Sequence, residues 1–208
     1  GGAVAGSNQA VITMNGTNVT HNKATRDVNF CDGSDNGGGG GFYVQSWSIL
    51  LLGATDVSYN NAGGFNSLDC NGMGGGIFCH YSFCVLNHSC LRYNRGAAGG
   101  GVFQNYAHID ILKTEISGNE ARRGGGLYLW KTKLHMSDSK IQRNAALVDS
   151  GGIHSHGNKN ENSVCELHLS RVVISDNRAV EYAGGLSLDQ YSFLFAQEMQ
   201  FVRNYVDS

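Results

Sequence analysis

Seven times along this chain a glycine pair or run gives way to an apolar residue, and a short apolar stretch then closes on an asparagine. The glycine-anchored residues are Val4, Phe42, Ile77, Val102, Leu127, Ile153 and Leu186. The closing asparagines are Asn22, Asn60, Asn94, Asn119, Asn144, Asn177 and Asn204. Anchor and asparagine lie 17 or 18 residues apart in six of the seven units, and 24 apart in the unit that carries the polar insertion "HGNKNEN". The shortest full period is 25 residues. A fixed period of this size means a stack of small units, none of which buries an apolar face alone.

Within a unit the apolar positions keep strand spacing. Leu86, Ile111, Met136 and Leu169 fall eight residues before the asparagine, and Leu91, Ile116, Ile141 and Ile174 fall three before it. These columns predict three short strands per unit, stacked as the rungs of an all-β parallel β-helix about 4.8 Å apart. Seven rungs then span 1–208 as one segment of a longer solenoid, with long loops at 24–36, 62–73 and 156–163. The glycines read as corners that need positive φ and leave no room for side chains between rungs. The asparagines read as a second corner whose amides bond along the stack. Ala or Gly stands two residues after six of the seven asparagines, which suits a narrow inward site.

Composition excludes several classes. The 30 glycines come with no proline and no G-X-Y period, so collagen and Pro-rich linkers are ruled out. A net charge of −2 provides no field for nucleic acid. The longest apolar run, Ile49 to Leu52, is far too short to insert in a membrane.

The repeats "GGAV" at 1–4 and "FVRN" at 201–204 resemble those of the chlamydial polymorphic membrane proteins, which carry GGA-[ILV] and FxxN motifs. Most units here read GGG and place Ile or Leu where that motif has Phe. The resemblance implies a right-handed, pectin-lyase-like parallel β-helix and an adhesin at a cell surface.

Six cysteines suggest an oxidising compartment. Cys31 and Cys70 follow neighbouring asparagines by nine and ten residues and are placed to pair; Cys79 and Cys84 share a rung and form a second candidate pair. Asn15, Asn18 and Asn87 begin glycosylation sequons.

With the anchor pointing inward, the next residue points outward, and that column reads Tyr43, Phe78, Phe103, Tyr128, His154. Two positions further it reads Gln45, His80, Asn105, Trp130, His156, Asp189. Tyr43, Phe78, Phe103, Tyr128, Trp130, His154 and His156 therefore predict an aromatic stripe for a protein or glycan partner. The H-S-H pair at 154–156 suggests metal only weakly, and Asp110, His135 and His168 read as a solvated ladder, so no metal or other cofactor is expected. Enzyme motifs are missing: no GxSxG, no GxxxxGK[ST], no calcium-binding GGxGxD, and no facing carboxylates for glycoside cleavage. The sequence thus favours a non-enzymatic extracellular or cell-surface scaffold of adhesin type. A structural filament or coat component assembled from several chains is the alternative, and a polysaccharide-active enzyme the third reading.

Overall fold

The structure, a computed structural model, describes residues 3–24, 38–64, 72–159, 161 and 163–207. Every named element is a β-strand, and the strands form four parallel sheets, three of seven strands and one of five. The chain visits the sheets in turn, so the fold is a parallel β-solenoid of seven rungs.

In the rung built on Val102, sheet 1 takes Val102–Asn105, sheet 2 His108–Leu112, sheet 3 Glu115–Ser117 and sheet 4 Glu120–Arg123. The registers hold the repeat columns together: Ile77, Val102 and Leu127 are direct neighbours across sheet 1, and Leu86, Ile111 and Met136 across sheet 2. Alternation turns these residues inward, where all six are at most 2% exposed. Burying each such aliphatic side chain contributes about 1.5–3 kcal/mol.

Sheet 4 departs from the expected three strands. Its strands follow the asparagine at once, as in Arg95–Ala98 and Ala145–Ala146, and they turn small residues inward: Ala121 and Ala179 are fully buried. Small residues carry little hydrophobic signal, so these strands read as turn in the sequence.

The glycine runs do two jobs. Gly99 has φ 62°, and a Cβ there would stand 2.2 Å from the Val102 carbonyl, because the chain reverses over itself. Gly100 has no positive φ, but its Cβ would sit 2.4 Å from the Gly125 carbonyl of the next rung. The first glycine makes the turn, and the next allows rungs to approach.

The asparagine amides form one continuous chain of bonds. The backbone N–H and Nδ2 of Asn94 both donate to Asn119 Oδ1, at 2.9 and 3.0 Å, and Nδ2 also donates to the Val57 carbonyl at 2.8 Å. Asn60, Asn94, Asn119, Asn144 and Asn177 are fully buried. The left-handed corner itself belongs to the preceding residue: Tyr59 (φ 56°), Tyr93 (φ 54°) and Arg143 (φ 55°). Each non-glycine residue in that conformation costs about 1–2 kcal/mol. A second polar ladder, of hydroxyls, fixes the turn between sheets 2 and 3: the backbone N–H groups of Thr55, Ser89 and Thr114 donate to Ser89, Thr114 and Ser139, at 3.2, 3.2 and 3.0 Å.

Candidate functional site

The aromatic column on the outer side of sheet 1 is one unbroken stack. Ring centroids lie 5.0 Å apart from Tyr43 to Phe78, 5.5 Å to Phe103, 5.4 Å to Tyr128 and 4.9 Å to His154. Its exposure differs from the sequence expectation. Phe78 and Phe103 are 2% exposed, and Tyr128 and His154 5%. Met73 and Ala98 pack on the column, and Gly124 brings the backbone against Tyr128. The end of the sheet 4 strand Arg95–Ala98 thus folds back over sheet 1. Burial pushes the Tyr128 phenol up to about 12, against the pull of Arg123. Burial also holds His154 below the ordinary imidazole range, although its Nε2 lies 3.7 Å from the Asp149 carboxylate. These four residues make a second core. Tyr43, Trp130 and His156 remain half-buried at its margin. His156 Nδ1 lies 2.9 Å from Asp189 Oδ2 of the following rung.

Cys79 and Cys84 form a disulfide between sheets 1 and 2, and both point into the core. Cys31 and Cys70 lie outside the described residues, as does most of the 24–36 and 62–73 loops. Of the loop at 156–163, Asn158 and Ser163 pair antiparallel across its neck. Of the sequons, Asn15 and Asn18 are exposed, and Asn87 is half-buried beside His88.

A different aromatic ladder lies at the surface, at the turn from sheet 1 to sheet 2. Trp47, Tyr81, Tyr106 and Lys131 occupy its left-handed position, with φ 65°, 45°, 48° and 53°. Backbone with positive φ turns the side chains out of the strand alternation; Trp47 is 72% and Tyr81 39% exposed, while Lys131 is buried. Tyr81 and Tyr106 stack at 4.8 Å, Trp47 tilts on Tyr81 at 6.0 Å, and Lys131 Nζ stands 4.5 Å above the Tyr106 ring. Burial disfavours charge on Lys131, but its bonds to the Glu161 carboxylate and the Tyr106 hydroxyl outweigh this and raise its pKa. These residues line a groove of about 460 Å³ with Lys133 and Glu166 on its rim. The sequence carries a signal for it that alternation does not reveal: after five of the seven anchors, Phe42, Ile77, Val102, Leu127 and Leu186, an aromatic residue or Lys sits four or five positions on and just before Ser, Ala or Thr. A shorter ladder, His21, Tyr59 and Tyr93, stacks at 5.0 and 5.1 Å beside the asparagines, with both tyrosines more than half exposed.

The outer side of sheet 2 gathers polar chemistry. His108 and Asp110 share one strand, and His135 lies opposite Asp110 on the next, with His168 beyond it. The rings of His108 and His135, and of His135 and His168, meet edge to face at 5.0 Å. Burial depresses the His135 pKa, and Asp110 partly restores it. An open groove of about 650 Å³ runs past Asp110, His135, His168 and Phe195. Among the described residues two groups bring three metal-ligating side chains together: His108, Asp110 and His135, and His154, His156 and Asp189.

No protein-family model, no curated protein and no solved structure matches the chain.

Proposed function

We propose that this chain is a right-handed parallel β-helix that acts as a non-enzymatic scaffold outside the cell or at its surface. It recognises a protein or glycan through the ladder Trp47, Tyr81 and Tyr106. The observation that carries this reading is the groove these three side chains line: the Trp47 and Tyr81 rings are open to solvent, and Lys133 and Glu166 stand as polar contacts at its edge. Aromatic walls with a few converging polar groups suit sugar rings and partner side chains alike. Right-handedness is the hand of nearly all crossovers between parallel strands. The Cys79–Cys84 disulfide supports an oxidising compartment.

The test compares wild type with a Trp47→Ala/Tyr81→Ala variant on a glycan array and on intact cells. Both side chains are exposed, so the variant folds. Loss of binding by about tenfold or more supports the reading, since each anchoring aromatic contributes about 1–2 kcal/mol or more. Undiminished binding refutes it.

A further inference from the structure

We propose that the outer face of sheet 2 binds one divalent transition-metal ion of the zinc type, held by His108 Nε2, the Asp110 carboxylate and His135 Nδ1. The site arises from the strand register. His108 and Asp110 are two apart on one strand and so share a face, and the parallel pairing sets His135 directly beside Asp110. The three side chains therefore stand on backbone fixed by hydrogen bonds on both sides, not on a loop.

The spacing suits an ion. Asp110 Oδ1 lies 2.8 Å from His108 Nε2 and 3.2 Å from His135 Nδ1, and the three donor atoms all fall within 4.8 Å of one another. Donors around an ion with bonds of about 2.0–2.1 Å are separated by about 2.9–3.4 Å in octahedral or tetrahedral arrangements. Small side-chain adjustments open the cluster around a metal. Without the ion, both ring nitrogens face the same carboxylate oxygen and must carry their protons there. Binding shifts both protons to the opposite nitrogens.

Two imidazoles and one carboxylate select zinc, copper, nickel or ferrous iron over calcium and magnesium, which demand all-oxygen shells. The adjacent cation, Lys133, has its ammonium 3.6 Å from Glu166, so its charge is partly compensated. Three protein donors do not close a tetrahedral shell. The remaining position faces solvent along the groove that passes His168 and Phe195, so it is open to water or to a donor group of another molecule. The competing trio is less suited. His154 is 5% exposed and tilted against Tyr128, so an ion there would engage a ring packed in the buried column rather than one on open surface.

This inference is independent of the aromatic groove and is tested without it. Zinc chloride is titrated calorimetrically into the wild-type chain and into His135→Gln, Asp110→Asn and His156→Gln variants, with circular dichroism confirming that each is folded. The expected result is one equivalent bound by wild type and by His156→Gln, with affinity lower by about 10–100-fold or more in the other two. Nitrogen-15 shifts of His108 and His135 should report the tautomer change on binding. Failure of wild type to bind zinc overturns the assignment. So does binding unaffected by His135→Gln and Asp110→Asn, or binding lost in His156→Gln. A cobalt complex with a thiolate charge-transfer band would place the ion on cysteine and overturn it as well.

Discussion

Two outward columns of this solenoid obey the same alternation and meet opposite fates. On sheet 1, Phe78, Phe103, Tyr128 and His154 point away from the main core and are at most 5% exposed. On sheet 2, Asp110 and His135 also point away from it, and their side chains are 42% and 45% exposed. The difference lies in the connections. Between sheets 1 and 2 the chain spends only two residues, Tyr106 and Ala107 in the Val102 rung, and between sheets 2 and 3 only Lys113 and Thr114. Neither turn has length to cover anything. Sheet 4 ends instead in a glycine run that reverses the chain, which lays Ala98 on the aromatic column. Strand periodicity tells which side of a sheet a residue takes; whether that side meets water depends on where the next segment runs.

The largest expected contrast comes from truncating one member of each column. Tyr128→Ala should destabilise by about 3–5 kcal/mol, as for a core aromatic. His135→Ala should stay within about 0.5 kcal/mol of wild type, as at the surface. Urea midpoints of the two variants measure both, and equal losses would break the comparison.

A smaller effect of opposite sign is expected inside the solenoid. Gln104 is fully buried between Cys79 and Leu129, and neither of its amide atoms has a hydrogen-bond partner among the described residues. Replacing it by a similarly sized apolar residue removes that desolvation, so Gln104→Leu should stabilise by about 1–3 kcal/mol. A lowered urea midpoint would mean that the amide is satisfied in solution.

The smallest effect is on pH dependence. Burial, foremost, keeps His154 below its ordinary value of 6.5; Asp149 and Asp189 oppose this, while His156 and Arg123 add to it. The unfolded chain then binds more protons than the folded one as pH falls below about 6.5, so stability drops with acidification there. His154→Phe, which keeps a ring in the stack, should flatten that part of the curve. A curve unchanged by the substitution would show that His154 is hydrated.

Much of the architecture was legible because repetition puts chemically matched residues at equal spacings. The anchors, the asparagines and the columns through Ile111 and Ile116 all fall on the registers that the spacing implies. Three things were hidden, for distinct reasons. Four of the five sheet 4 strands consist of Ala, Arg, Gly and Glu, with no apolar alternation. The surface ladder of Trp47, Tyr81 and Tyr106 sits on left-handed residues, where alternation between faces no longer applies. The cluster of His108, Asp110 and His135 joins two positions of one strand to one of the next, so no single column of the repeat contains it.

The most direct measurement is hydroxyl-radical footprinting of the unmodified chain, read by mass spectrometry, because it compares residues of one type within one molecule. Tyr93, 54% exposed, should oxidise at least about tenfold faster than Tyr128, 5% exposed, and His135 should outpace His154 in the same way. If Tyr128 and His154 instead react as fast as Tyr93 and His135, the sheet 1 column is open to water, and the division between a closed and an open outer face is wrong.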